Sequence, residues 1–387
     1  MQLRVVDALN DIPPADWNAL VRDENPFLAH EFLSALERHD CVGERYGWLP
    51  RHLTVYDQKR LVGAAPLYLK DNSYGELVFD WAWADAYQRA GGRYYPKAVV
   101  AIPYTPATGS RLLLHPEADA DAVTDTLVQG ALELSRELEL SSLHWLFTDA
   151  ADTERLKARG FLLRQGVQFH WHNDGYRDFD DFLERFSAQK RKKLKRERRR
   201  VQEQGIELRV VHGNEASAQD LEIAQRFYAS TFDRKSGIAT LNLGFFLEIG
   251  RTLGDRLVLV FAYARGQPVA CAINLRSRSA LYGRHWGCNA EYHSLHFEAC
   301  YYQGIEYCIR NGLRLFEPGA QGEHKISRGF LPTTTWSAHW IADEKFRAAI
   351  SDFLRREERV MNDYREELGE HHPYRADALP AKPSSCP

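Results

Sequence analysis

The chain has 387 residues, more than a single hydrophobic core usually serves, so two domains are expected. Hydrophobic residues make up 44% and charged residues 27%, the balance of a folded globular protein, which excludes a disordered or fibrous chain. A formal charge of −3 supplies no global attraction to nucleic acid or membrane, so any polyanion site has to be local.

The opening residues, Met1 to Val6, lack a basic segment followed by an apolar core, so no secretory signal is read there. No later stretch approaches the ~20 apolar residues of a spanning helix. The expectation is a cytoplasmic protein without membrane insertion. The six cysteines (Cys41, Cys271, Cys288, Cys300, Cys308 and Cys386) are irregularly spaced and fit reduced core thiols better than a disulfide framework.

In chain order, residues 53–69 read as strand, polar turn and second strand, and residues 259–275 repeat that layout, with Val62-Gly-Ala-Ala matching Val269-Ala-Cys-Ala. In each half a helical pattern and a short strand follow: 122–138 before 143–147, and 295–310 before 313–316. The order antiparallel strands, helix, strand thus occurs twice, which predicts an α/β (α+β) protein built from two similar domains. Turn residues at 173–176 mark the seam. The expected division is 1–175, 176–345, and a C-terminal helix with a flexible tail at 346–387.

At the seam, residues 190–200 hold nine cations in eleven positions. Leu183, Phe186, Leu194 and Val201 recur at helical spacing, so the run is expected to form one exposed face of a helix ending at Gly205. Arg191, Lys195 and Arg198 then align as a ladder for successive phosphates. The plainer reading is a solvated helix face, but only Glu197 interrupts the cations. Further on, the strand 280–288 ends in Arg284, His285 and Trp286. Ser294 is the expected N-cap of a helix that brings His296, Glu298 and Gln303 near the strand end, where free N–H groups suit a pyrophosphate or an oxyanion. Residues 316–330 form a glycine-containing loop with Glu317, Gln321, Glu323, His324, Lys325 and Arg328, a composition suited to ligand binding. The histidines and cysteines between 285 and 324 lack the paired spacings of a closed zinc site, so no metal is expected. No nucleophile elbow, dinucleotide fingerprint or P-loop occurs.

These segments, 187–201, Tyr282-Gly-Arg-His-Trp-Gly-Cys, His296-Phe-Glu-Ala-Cys-Tyr-Tyr-Gln-Gly-Ile and Phe316-Glu-Pro-Gly-Ala-Gln-Gly-Glu-His-Lys, resemble the FemAB-like branch of the GNAT-type N-acyltransferases. The resemblance spans roughly 17–340 and implies tandem GNAT-like domains, each a mixed, mostly antiparallel sheet flanked by helices, with the donor bound by the second. It implies acyl-CoA or aminoacyl-tRNA as co-substrate, no tightly bound cofactor, and an amine acceptor, either a peptidoglycan precursor or a small amine. Lys325 is similar to the lysine that precedes a Gly-Phe in Fem ligases; here Gly329-Phe330 follows after a longer gap. The pyrophosphate loop of ordinary GNAT enzymes is absent after the Tyr282 strand.

The expected reaction is direct attack of an amine on an ester or thioester carbonyl. Glu298 or His285 takes the amine proton, Glu323 and His324 orient the acceptor, and N–H groups near Trp286 to Cys288 hold the oxyanion. Arg284, Trp286, Gln321, Lys325, Arg328, Arg191, Lys195 and Arg198 bind substrate and donor. The first half, with few clustered ionisable residues, is expected to be a supporting domain. The alternatives are a non-catalytic RNA-binding protein that uses helix 190–200 and a metal-dependent enzyme that uses the His/Cys cluster.

Overall fold

The computed structural model describes residues 1–234, 237–320 and 322–378. They fall into two compact units, the first Met1–Val167 with Thr334–Tyr364, the second Gln168–Thr333 with the remaining C-terminal residues. The crossing therefore lies at 167/168 instead of near 175, inside a strand, and residues 334–345 go with the first unit instead of the second. The helix expected after Ala342 runs Glu344–Glu370, and the tail 379–387 lies outside the described residues.

The strands are β1 (Gln2–Val6), β2 (Leu49–Pro50), β3 (His52–Asp57), β4 (Arg60–Ala65), β5 (Leu67–Lys70), β6 (Lys97–Val100), β7 (Leu113–Leu114) and β8 (Ser142–Thr148). They continue as β9 (Leu162–His172), β10 (Ile206–His212), β11 (Leu257–Ala264), β12 (Gln267–Arg276), β13 (Ala280–Cys288), β14 (Leu315–Glu317) and β15 (Leu331–Ile341). In the first unit β1, β3 and β4 pair antiparallel, as do β5 and β6; β6 then runs parallel to β8 with Ala98 opposite Leu143, and β15 closes antiparallel on β8. In the second unit β10 to β13 form an antiparallel meander, β13 runs parallel to β14 with Ala280 opposite Leu315, and β9 closes antiparallel on β14. Each unit has the GNAT-like layout, and the duplicated order of antiparallel strands, helix and parallel strand is present.

Local sequence explains these elements. The helix Ala120–Glu137 starts at Asp119, whose carboxylate accepts from the Asp121 and Ala122 amides, and it buries Val123, Leu127, Val128 and Ala131 in the core over β3 and β4. In β12, Val269 to Leu275 are all buried, and Val269 to Ile273 form the unbroken apolar run of a strand covered on both faces. The first hairpin departs from its echo at Pro66, which has no N–H to give a ladder. The run 53–69, expected as two strands, is therefore divided: β4 pairs with β3 and β7, and β5 leaves to pair with β2 and β6. The single basic helix expected from Leu183 to Gly205 is two helices, Phe179–Glu184 and Ala188–Glu203. Phe186 lies between them, packed on Phe182 and Tyr374.

The expectation of few clustered ionisable residues in the first half is also corrected. Buried Lys97 bridges Glu76 at 2.8 Å and Asp80. The Tyr94 hydroxyl donates to Asp80 at 2.6 Å, and His144 meets His339 through their Nδ1 atoms at 2.7 Å. These residues are dispersed in sequence and converge only when β5, β6, β8 and β15 come together.

In the second unit Gly287 of β13 lets the helix Ala218–Arg234 approach the strand. A Cβ there would lie 1.8 Å from the Phe227 carbonyl oxygen, and Thr231 Oγ1 donates to the Trp286 carbonyl at 2.5 Å. Gly287→Ala forces the helix backbone away from β13, with an expected loss of about 3 kcal/mol; a lower urea midpoint at unchanged m-value checks it.

Candidate active site

The site is built in the second unit, where β13 and β14 part. They pair only at residues 280–282 and 315–317, and β13 continues for another six residues, 283–288. On its other side β13 keeps its pairing with β12, but Ile273 faces His285 and Asn274 faces Gly283, so Arg284 is the extra residue of a bulge. Bulges re-aim side chains and locally disrupt the ladder, and they concentrate beside active sites. Gly283 has the chain after β14 close by, with Pro318 Cα 3.2 Å from where a Cβ would stand.

The three residues read at the strand end have different surroundings. Desolvation lowers the Arg284 guanidinium to about 10, while Tyr228 and Glu317 act in the opposite sense. His285 meets the Tyr228 ring edge-on at 4.6 Å, and burial, with Arg284 beside it, holds its pKa well below the usual histidine range. It is a neutral imidazole of low proton affinity. Trp286 forms a wall, packed on the cluster of Val201, Ile206 and Leu295 and 5.6 Å from the His296 ring.

The helix after β13 differs from its expected form. Ser294 has φ +64° and makes no cap; its Oγ meets His293 Nδ1 at 2.8 Å. A short α turn, Leu295–Phe297, runs into a π-turn, Glu298–Tyr302, and then the α-helix Gln303–Arg310. π-turns are rare and frequent at functional sites. Here the widened turn carries Glu298, Tyr301 and Tyr302.

Glu298 does not stand as an open base. Arg198 donates to both of its oxygens at 2.9 and 3.1 Å, Gln303 adds a third bond at 2.8 Å, and the carboxylate is buried. The same arginine bonds Glu306 at 2.8 Å and lies over the Phe179 ring. Arg198 is therefore turned inward, and the phosphate ladder of Arg191, Lys195 and Arg198 is not formed. Lys195 points outward in an exposed pair with Asp180, and Arg191 is half-buried on the same helix.

Glu197, read as an acid interrupting an exposed run, is also buried. Arg328 Nη2 bonds its two oxygens at 3.0 and 3.1 Å, and the Tyr302 hydroxyl donates to it. Arg328 further donates to the His324 carbonyl at 2.7 Å and lies 3.4 Å over the Phe297 ring. It is a buried, paired cation that fixes the turn Glu323–Arg328 and is not an open donor ligand.

That turn places the remaining candidates. Lys325 is buried, and its Nζ donates to the Gly319 carbonyl at 2.6 Å; no carboxylate pairs with it among the described residues. Desolvation lowers its pKa to about 8. His324 is exposed, with Nε2 2.8 Å from the Tyr301 hydroxyl, and its pKa is lowered by desolvation, Arg328 and Lys325. Glu323 lies at the exposed start of the turn, and Gln321 falls outside the described residues.

One neighbour was missed in the sequence. Buried His170 of β9 lies 3.9 Å from Glu317 at the end of β14 and 3.1 Å from Gln168. Burial, with His172 and Lys325, lowers His170 to about 3, so it is neutral. The available signal was the alternation Gln168, His170, His172 between Phe169 and Trp171, a polar face on an otherwise aromatic strand. Burial raises the Cys300 thiol well above its ordinary value, so it is not an activated nucleophile. Among the described residues no group of three or more His, Cys, Asp or Glu side chains is placed to hold a metal ion.

The arrangement offers a desolvated cation on a glycine-containing turn and a His–Tyr pair beside it at the surface. It can hold an anion or a developing oxyanion and move a proton. Its anchoring is testable: Glu197→Ala strands Arg328 as a buried unpaired charge, with an expected cost of about 3–5 kcal/mol. Lys193→Ala, on the exposed face of the same helix, is expected to change stability by less than about 0.5 kcal/mol. Urea unfolding of the two variants checks the difference.

A family model for FemAB-like proteins, described as peptidoglycan biosynthesis/recognition, matches residues 8–376. No curated protein matches the chain. Among solved structures, FemX is 11% identical with a TM-score of 0.55, covering 91% of this chain and 100% of its own. The C-terminal domain of a putative lysylphosphatidylglycerol synthetase from Agrobacterium fabrum is 10% identical at a TM-score of 0.51, over 88% and 95% of the two chains. A conserved protein of unknown function from Bacteroides thetaiotaomicron is 10% identical at a TM-score of 0.51, over 87% and 99%. At these identities the likeness is one of fold, whereas the family match runs through nearly the whole sequence. The chain belongs to the FemAB-like family of peptidoglycan biosynthesis/recognition proteins.

Proposed function

We propose that the chain is an N-acyltransferase of peptidoglycan biosynthesis, acting in the cytoplasm, whose second unit moves an acyl or aminoacyl group onto an amine of a peptidoglycan precursor. The observation that carries this reading is Lys325, a buried lysine whose hydrogen-bond partner is a neutral carbonyl. A desolvated ammonium without a counter-ion favours an anion beside it, and an oxyanion forming from a carbonyl is such an anion.

In the reaction the acceptor amine attacks the donor carbonyl and a C–N bond forms. The carbonyl oxygen takes the negative charge, stabilised by Lys325, and then the C–O or C–S bond to the donor breaks. The amine proton passes to His324, neutral because its pKa is lowered, with the Tyr301 hydroxyl as its hydrogen-bonded partner. The leaving alkoxide or thiolate takes a proton in turn. Glu298 and Arg328 hold the frame through their ion pairs, and Arg284 and Trp286 line the strand end. Glu323 is retained as an acceptor-orienting group, and His285, expected to take the amine proton, is reassigned to that role because its burial leaves it with low proton affinity.

Between the two donors, aminoacyl-tRNA is favoured. Lys192, Lys193, Lys195, Arg196 and Arg199 are exposed on one helix whose inward Glu197 and Arg198 are already paired, so the outer face is cationic. That face also supports the second reading, a non-catalytic RNA-binding protein. The two readings part on Lys325. For the enzyme, Lys325→Met is expected to lower turnover at least ~100-fold with tRNA affinity unchanged; the binding protein shows no turnover in either form. The assay follows deacylation of charged tRNAs and thiol release from acyl-CoAs, with peptidoglycan precursors and small amines as acceptors.

The pH dependence has a definite sign. Lys325 acts as a protonated group, so turnover falls as pH rises through about 8. Lys325→Arg is expected to retain part of the activity and move that fall to higher pH, which a pH–rate profile measures.

A further inference from the structure

Residues 71–80 of the first unit join β5 to the helix Trp81–Arg89, with no helix or strand of their own. Their polarity is inverted. Ser73, Glu76 and Asp80 are buried, whereas Tyr74 is 71% exposed, Phe79 57%, and the adjoining Trp81 41%. Leu77 and Val78 are only half-buried, so a segment with its aromatics outward and its charges inward gains little from the hydrophobic effect and is held chiefly by polar contacts.

Four of those contacts come from two lysines that are register partners across β5 and β6, and the Tyr104 amide on the Gly75 carbonyl at 3.1 Å and Arg164 on the Phe79 carbonyl at 2.8 Å add to them. Lys97 donates to Ser73 Oγ at 2.9 Å, to Glu76 at 2.8 Å and to Asp80. Tyr95 meets Ser73 at 2.7 Å, and Tyr94 donates to Asp80. Lys70 gives one bond, to the Tyr74 carbonyl at 3.1 Å, which Trp48 Nε1 also serves at 3.1 Å. The Lys70 ammonium otherwise lies 4.0 Å over the Trp48 ring.

The closed arrangement is costly. Glu76 Oε1 and Asp80 Oδ1 are buried with no hydrogen-bond partner, and such atoms forgo hydration without replacement. Leu77 holds φ +61°, a left-handed conformation that side chains with a Cβ disfavour. Desolvation lowers Lys70 to about 7 and raises Glu76 to about 7, so each charge is resisted by its surroundings. Moving the segment outward would hydrate both carboxylates and release the leucine, while the sheet beneath keeps its ladder.

We propose that residues 71–80 are a strap that opens as a unit while the rest of the first unit stays folded, uncovering the Lys70 and Lys97 ammonium pair. The two lysines act in opposite directions. Lys97 holds three strap side chains and keeps the strap shut. Lys70 holds one carbonyl that keeps Trp48 as its donor, and its buried charge favours the open state, where water reaches it.

Hydrogen exchange read by mass spectrometry on the full chain at pH 7 tests this, comparing peptides over 71–81 with peptides over the helix Ala120–Glu137 of the same unit. In the wild type the strap amides are expected to exchange at least ~100-fold faster than the most protected helix amides after correction for intrinsic rates. Lys70→Met slows strap exchange about tenfold, and Ser73→Ala, which removes contacts to Lys97 and Tyr95, speeds it about tenfold, with the helix unchanged in both. Strap and helix exchanging together in the wild type overturns the proposal, as does either variant shifting both segments equally or both variants shifting the strap in the same direction.

Discussion

The buried pair between Glu197 and Arg328 is the constraint on which the arrangement of the candidate site depends. It joins the middle of a strongly basic helix to the turn that carries His324 and Lys325, across 131 residues of sequence. A buried ion pair adds little net stability, because desolvation offsets most of its attraction, but removing one partner is severe. Such a pair therefore acts chiefly as a register device. Next to it in sequence, Arg198 reaches Glu298 and Glu306, so adjacent residues on one helix grip the π-turn, the helix after it and the turn Glu323–Arg328. Leu194 and Val201, one turn before and after, are buried beside them and complete the inner face. The outward cations are what remains once these positions are committed.

This explains which parts were legible in advance. The strand–turn–strand pattern of 259–275 and the apolar spacing of 122–138 each depend on residues close in sequence, and both became the elements they resembled. Pro66 was equally local, but its missing N–H alone did not foretell that β4 and β5 divide, since Pro268 lies within the unbroken β12. The identity of the partners was not local. Glu298 reads as a free carboxylate at a helix start until Arg198, a hundred residues earlier, is seen to occupy both oxygens. Arg328 reads as a ligand-seeking cation until Glu197 is found beneath it. Charged residues near a candidate site are ambiguous in sequence, since an ion pair with the scaffold and a contact with a ligand call for the same side chains.

Lys325 survives that ambiguity for a physical reason. Glu298, Arg198 and Arg328 each have an opposite charge within hydrogen-bond reach, whereas Lys325 has the Gly319 carbonyl. A cation that has given up water without gaining a counter-ion is unstable in isolation, and this is the condition under which binding an anion is most favourable. The lowered pKa of Lys325 and its burial are two expressions of that condition. His324, lying at the surface of the same turn, supplies the group that can exchange a proton without leaving the site.

The first unit shows that burial of ionisable groups is not confined to the half that resembles an enzyme. Lys70 and Lys325 are both desolvated lysines bonded to a backbone carbonyl, but their neighbours differ. Lys325 sits on a turn anchored by Glu197 through Arg328, so its position is fixed. Lys70 sits beneath residues 71–80, a segment whose aromatics face water and whose carboxylates keep unpartnered oxygens. In one place the scaffold spends a buried ion pair to hold a lysine still; in the other, strain is concentrated in the covering segment itself. Duplication of the fold thus produced two different solutions to the burial of an amine, and the division into one supporting and one working domain describes the second unit better than the first.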